Sequence, residues 1–101
     1  MTTENFLSFE TGPDAGSAFL SGSFEDMANY PPTGLGLKNS FRLVELPAGE
    51  TAEVAANRLL ADAESGVSQA TGHAGCIEIE VGQFLFFGRV PQRKFRSSYE
   101  R

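Results

Sequence analysis

The stretch CIEIEVGQFLFFGRVP, residues 76–91, limits the fold more than any other part of the chain. CIEIEV alternates apolar and acidic residues with the period of a half-buried strand. QFLFF follows at once, apolar on every position, and Gly82-Gln83 between them suits a two-residue type II′ turn. An antiparallel hairpin is expected. That turn sets Val81 opposite Phe84 and Ile79 opposite Phe86, so these four share the buried face. Leu85 and Phe87 then fall opposite Glu80 and Glu78, apolar residues on an acidic face. They need a cover, from the C-terminal tail, from the 23–37 loop or from another subunit.

A hairpin needs something to pack on, and ETAEVAANRLLADAES (50–65) supplies it. Ala52, Ala55, Ala56, Leu59, Leu60 and Ala63 recur at helical spacing and form one apolar stripe. Pro47 and Gly49 mark its entry and Gly66 its exit. Glu50 and Glu53 lie where the helix dipole favours acids. Arg58 and Asp62 are spaced as an i, i+4 ion pair. The alanines permit close approach to a sheet.

NFLSFE (5–10) and SAFLSGSF (17–24) read as two further strands around the turn residues of TGPDAG. In the first, Leu7 and Phe9 share one side, with Phe6, Ser8 and Glu10 on the other. NSFRLVEL (39–46) reads as another strand, apolar on both faces. Between these lies the irregular stretch 23–37, where Ser23 and Asp26 could cap one helical turn before Pro31 and Pro32 forbid more. The order strand, strand, long loop, strand, helix, strand, strand points to an α+β domain. Its expected form is an antiparallel sheet of four or five strands with one main helix on one face. Residues 1–90 form that single domain and 91–101 a basic tail; 101 residues are too few for two good cores.

Charge divides the chain unevenly. Residues 1–88 carry twelve acids and three bases, a balance of −9, while residues 89–101 carry five bases and one acid, +4. An acidic body repels nucleic acid and anionic lipid. The tail, with Arg93, Lys94 and Arg96 interleaved with Phe95 and Tyr99, has the mixture that binds phosphates and stacks on bases. It is equally suited to an acidic protein surface, its own or a neighbour's. Lone Cys76 excludes an intramolecular disulfide framework and fits a reducing compartment. The N-terminus lacks the regions of a signal peptide, and no apolar run reaches the roughly 18 residues of a membrane span. A cytoplasmic protein without membrane contact is expected.

Residues that could carry chemistry are sparse. His73 and Cys76, three apart in TGHAGC, are the only His and the only Cys. They fall short of a zinc ligand set and lack the companions of a Cys–His nucleophile. Glu78 and Glu80 stand about 7 Å apart on one strand face, which is ordinary for a solvated strand. TGLGLK (33–38) has glycines and a lysine but not the spacing of a phosphate loop. No cofactor or metal is expected.

The function expected on these grounds is that of a small non-enzymatic accessory or assembly protein acting through protein contact. The expected partner is another copy of itself, and the contact residues are Leu85, Phe87, Arg93, Lys94, Phe95 and Arg96. Two alternatives stand beside it. One is a nucleic-acid-associated regulator using the tail. The other is a small-ligand binder or enzyme with a pocket near the 23–37 loop, by Tyr30, His73 and Cys76.

Overall fold

Strand β4, Gln83–Pro91, is the spine of the sheet. It pairs antiparallel with β1 (Thr3–Thr11) on one side and with β3 (Ala74–Glu80) on the other. β3 in turn pairs with the short strand β2 (Phe41–Leu43), giving the order β1-β4-β3-β2. The computed structural model describes residues 3–28, 34–69 and 72–91. Two helices complete it, α1 (Ala15–Ala28) and α2 (Ala52–Ala61), with a 3₁₀ turn at Leu35–Leu37. The protein is a small α+β domain. The basic tail residues Arg93, Lys94, Phe95 and Arg96 and the loop residue Tyr30 lie outside the described residues.

The sheet is mixed, where an antiparallel one was expected: β2 runs parallel to β3, with Phe41 opposite Ala74 and Leu43 opposite Cys76. The reason is the connection. α2 lies between these strands in the chain and returns it to the end where β2 began, as a βαβ crossover does.

The second departure is α1. Residues 17–24 are helical, not a strand. Asp14 begins the helix: its carboxylate accepts the Ser17 N–H at 2.8 Å, and its carbonyl accepts the Ala18 N–H at 3.0 Å. The buried positions are Ala18, Phe19, Gly22 and Ser23, spaced i, i+1, i+4, i+5. Phe19 and three small residues face inward, while Leu20 and Phe24 face water. At the far end Asp26 accepts the N–H groups of Gly34 at 2.9 Å and Gly36 at 2.8 Å, so the returning chain is tied to the helix.

The third concerns the hairpin. Glu80 pairs with Gln83, so the turn is Val81-Gly82. Gly82 has φ 85°, a positive value at the second central position, where the expected II′ turn has it at the first. A bulge between Glu78 and Glu80 shifts the phase of β3. As a result Cys76, not Ile79, lies opposite Phe86, and Ile77 lies opposite Leu85. The displacement is odd, so the two faces of the strand pairing exchange roles. Val81 ends 95% exposed at the turn.

Both faces of β4 are buried, as its unbroken apolar run allows. On one face Leu85, Phe87 and Ile77 pack with Ala52, Ala55, Ala56 and Leu60 of α2 and with Val67. On the other Phe84, Phe86 and Cys76 pack with Ala18 and Phe19 of α1 and with Leu35. The rings of Phe19, Phe41 and Phe86 form a triangle with centroid separations of 5.1, 5.7 and 5.5 Å. Burying the Phe86 ring fully contributes about 1.5–3 kcal/mol, and the half-buried Phe41 less.

α2 begins at Thr51, whose hydroxyl accepts the Val54 N–H at 3.2 Å. Its apolar stripe is the expected one up to Leu60, but the helix ends at Ala61 and leaves Ala63 exposed. Arg58 pairs with Glu50 at 3.0 Å. The i, i+4 partner Asp62 adds only a weaker attraction to the raised guanidinium pKa, behind the hydrogen bond and charge of Glu50.

Candidate contact surface

Leu85 and Phe87 are fully buried. The cover they require is α2 of the same chain, brought over them by the hairpin register. The large apolar side chains that remain open lie elsewhere: Leu43, Val54 and Val81 stand apart from one another, and the rest form two groups.

The first is the outer face of α1. Leu20, Phe24 and Met27 stand at i, i+4 and i+7 and are 68%, 76% and 49% exposed. Helical geometry places them in one line, pointing away from the sheet that buries Phe19 and Ala18. A row of this kind is more informative than singly scattered exposed residues, which every soluble protein has.

The second lies along β1. Leu7 pairs with Phe87 and Phe9 with Leu85, so both belong to the face covered by α2. Yet Leu7 is 39% and Phe9 57% exposed. α2 sits over β3 and β4, and the apolar layer runs out from beneath it to the edge of the sheet. Sequence spacing already set Leu7 and Phe9 on one side of their strand. It carried no signal that the strand is an edge.

Arg89, counted with the basic end of the chain, is engaged. Its guanidinium donates to the Leu60 carbonyl at 2.9 Å and to the Asn5 side-chain oxygen at 3.1 Å. It therefore binds a carbonyl at the C-terminal end of α2, where a cation is favoured, and ties β1 to that helix.

The residues that could carry chemistry are dispersed. Cys76 is wholly buried among the α1-side aromatics. Burial, and then the charge of Glu78, pushes its thiol up to about 12, so it is protonated and shielded at neutral pH. His73 is exposed and hydrogen-bonds through Nδ1 with the Ser40 hydroxyl. Ser40 also accepts the Ala74 N–H at 3.0 Å through its carbonyl. Together these contacts align β2 with the start of β3. A serine–histidine pair becomes a nucleophile and base only with an orienting group and an oxyanion site. An open groove of about 550 Å³ runs beside Ser40, between α1 and β2, floored by Phe19 and Phe41. Among the described residues no group of three or more His, Cys, Asp or Glu could hold a metal ion.

Lys38 is not a phosphate ligand on an open loop. It is 5% exposed, and its ammonium donates to the carbonyls of Gln69 at 3.2 Å and Gly72 at 3.1 Å. Desolvation lowers its pKa. It fastens the connection between α2 and β3 to the body of the fold. The sequence offered no sign of this beyond a lysine flanked by apolar and small residues.

No helix among the described residues is long and apolar enough to cross a membrane. No family model, no curated protein and no solved structure matches this chain.

Proposed function

We propose that this is a non-enzymatic accessory or assembly protein that works by protein contact and associates with itself. The observation that carries this reading is the row Leu20, Phe24 and Met27 on α1, together with Leu7 and Phe9 along β1. These are large apolar side chains left in water in two ordered groups by a fold that buries Phe19, Phe84, Phe86 and Phe87. Covering apolar surface yields about 25 cal/mol per Å², which favours association to the extent that it exceeds the entropy lost on joining two copies. The basic residues Arg93, Lys94 and Arg96 complement the acidic body and would add charge attraction between copies.

Sedimentation equilibrium over a wide concentration range tests the reading, on the whole chain and on a chain ending at Pro91. A mass that rises to a defined multiple of 10.9 kDa supports it. A monomer in both forms at every concentration removes self-association. A decrease in association with salt, absent from the shortened chain, would assign part of the contact to the tail.

A further inference from the structure

We infer that two copies of this chain join through their β1 strands, antiparallel about a twofold axis beside Ser8, to make one continuous sheet. The inference rests on the self-association proposed above and assigns its surface.

β1 is an edge strand nine residues long, paired only with β4 among the described strands. Its hydrogen-bonding phase is fixed by the Gly12 N–H, which donates to the Gly82 carbonyl at 3.1 Å. These two residues continue the register in which Thr11 pairs with Gln83. Even-numbered residues of β1 thus bond to β4. Odd-numbered ones, from Thr3 to Thr11, turn their N–H and C=O groups to the open edge. Pro91, which has no N–H, accordingly lies opposite Thr3, one of the outward residues. The edge has no proline, no lysine and no bulge, three devices that discourage strand addition; its only charges are Glu4 and Glu10 near its two ends. The opposite edge of the sheet, β2, offers only three residues.

The side chains select a second copy as the occupant. With Ser8 facing Ser8 across the axis, Leu7 of one copy faces Phe9 of the other, twice, and Asn5 faces Thr11. All of these are outward residues, and each pair exchanges two hydrogen bonds. The half-exposed Leu7 and Phe9 of both copies then meet in one apolar cluster that continues the α2-side core across the joint. Glu4 and Glu10, the charges of β1, are not set directly opposite. Sliding the pairing so that Leu7 faces its own copy would place Glu4 against Glu10, a like-charge pair that costs stability.

Three variants test this. Leu7→Lys puts a charge at the joint on a residue already exposed. Leu7→Pro removes one outward N–H while leaving the bonds to β4. Ser8→Cys places a thiol on the axis, where non-hydrogen-bonded partners have Cα atoms about 4.5 Å apart, within disulfide reach. The native Cys76 is buried and does not compete. Expected are a dimeric wild type, monomeric Leu7→Lys and Leu7→Pro variants with unchanged circular dichroism, and a Ser8→Cys protein that migrates at twice its mass without reductant. A wild-type dimer that persists in Leu7→Lys, with no Ser8→Cys cross-link, overturns the β1 joint. That result leaves self-association standing and moves it to α1. A wild type monomeric at every concentration overturns both.

Discussion

The ring of Phe87 occupies the space that a side chain at Gly75 would need. The two residues are paired across β3 and β4, and a Cβ built on Gly75 would stand 2.3 Å from the ring Cζ. This pairing lets α2 descend onto the sheet, because the ring lies along the strand surface instead of standing up from it. Gly75→Ala should therefore overpack the α2 side of the core and destabilise the fold by about 1–3 kcal/mol. Urea unfolding measures it directly. An unchanged midpoint would show that the ring can move aside freely.

How much of this was legible follows from particular residues. α2 was readable because Ala52, Ala55, Ala56 and Leu60 recur at a period no strand shares. The hairpin was readable as a hairpin but not in its register. FLFF is apolar at every position, so either phase buries two of its residues on each face, and only the turn decides. Gly82 and the bulge near Ile79 decided it differently from the spacing. That one slip placed Leu85 and Phe87 on an open face in the sequence reading and under α2 in the structure. α1 was hidden for another reason. Apart from Phe19 its buried face is small (Ala18, Gly22, Ser23), while its exposed face holds Leu20 and Phe24, which weakens the usual helical contrast. The exposed apolar row Leu20, Phe24 and Met27 was hidden with it.

Asp26 gives a prediction about the loop behind α1. One of its carboxylate oxygens receives both the Gly34 and Gly36 amides. Hydrogen bonds to a charged acceptor are the stronger kind. Asp26→Ala should cost about 1–3 kcal/mol. Its mark is local: amide exchange at Gly34 and Gly36 should accelerate well beyond that of the β4 amides. Uniform acceleration across the protein would show that these bonds do not act on the loop in particular.

Cys76 should be inert in the folded protein. Its thiol is buried and its pKa is raised to about 12. A thiol reagent at pH 8 should label it only as fast as the fold opens, so the labelling rate should follow denaturant through the unfolding transition. Immediate labelling without denaturant would show that β3 opens locally on its own.

The alkaline limb of the stability profile separates two buried groups with opposite signs. The folded state raises the Cys76 pKa above its ordinary 9, so above that value the native thiol keeps a proton that the unfolded chain loses. Its contribution is complete below pH 9 and declines as the pH rises toward 12. Lys38 works the other way. Desolvation lowers its pKa below 10.5, so the unfolded chain holds the proton longer, and stability rises with pH up to about that value. Where the Lys38 rise extends above pH 9, the two slopes oppose each other. Lys38→Met should remove the rising component and steepen the decline, while Cys76→Ala should remove the fall. Lys38→Met should also free the Gln69 and Gly72 carbonyls from their ammonium partner, destabilising the fold by about 1–3 kcal/mol at pH 7. Urea midpoints of the three proteins from pH 7 to 11 measure each slope. Parallel profiles would show that neither group titrates differently in the folded and unfolded chains.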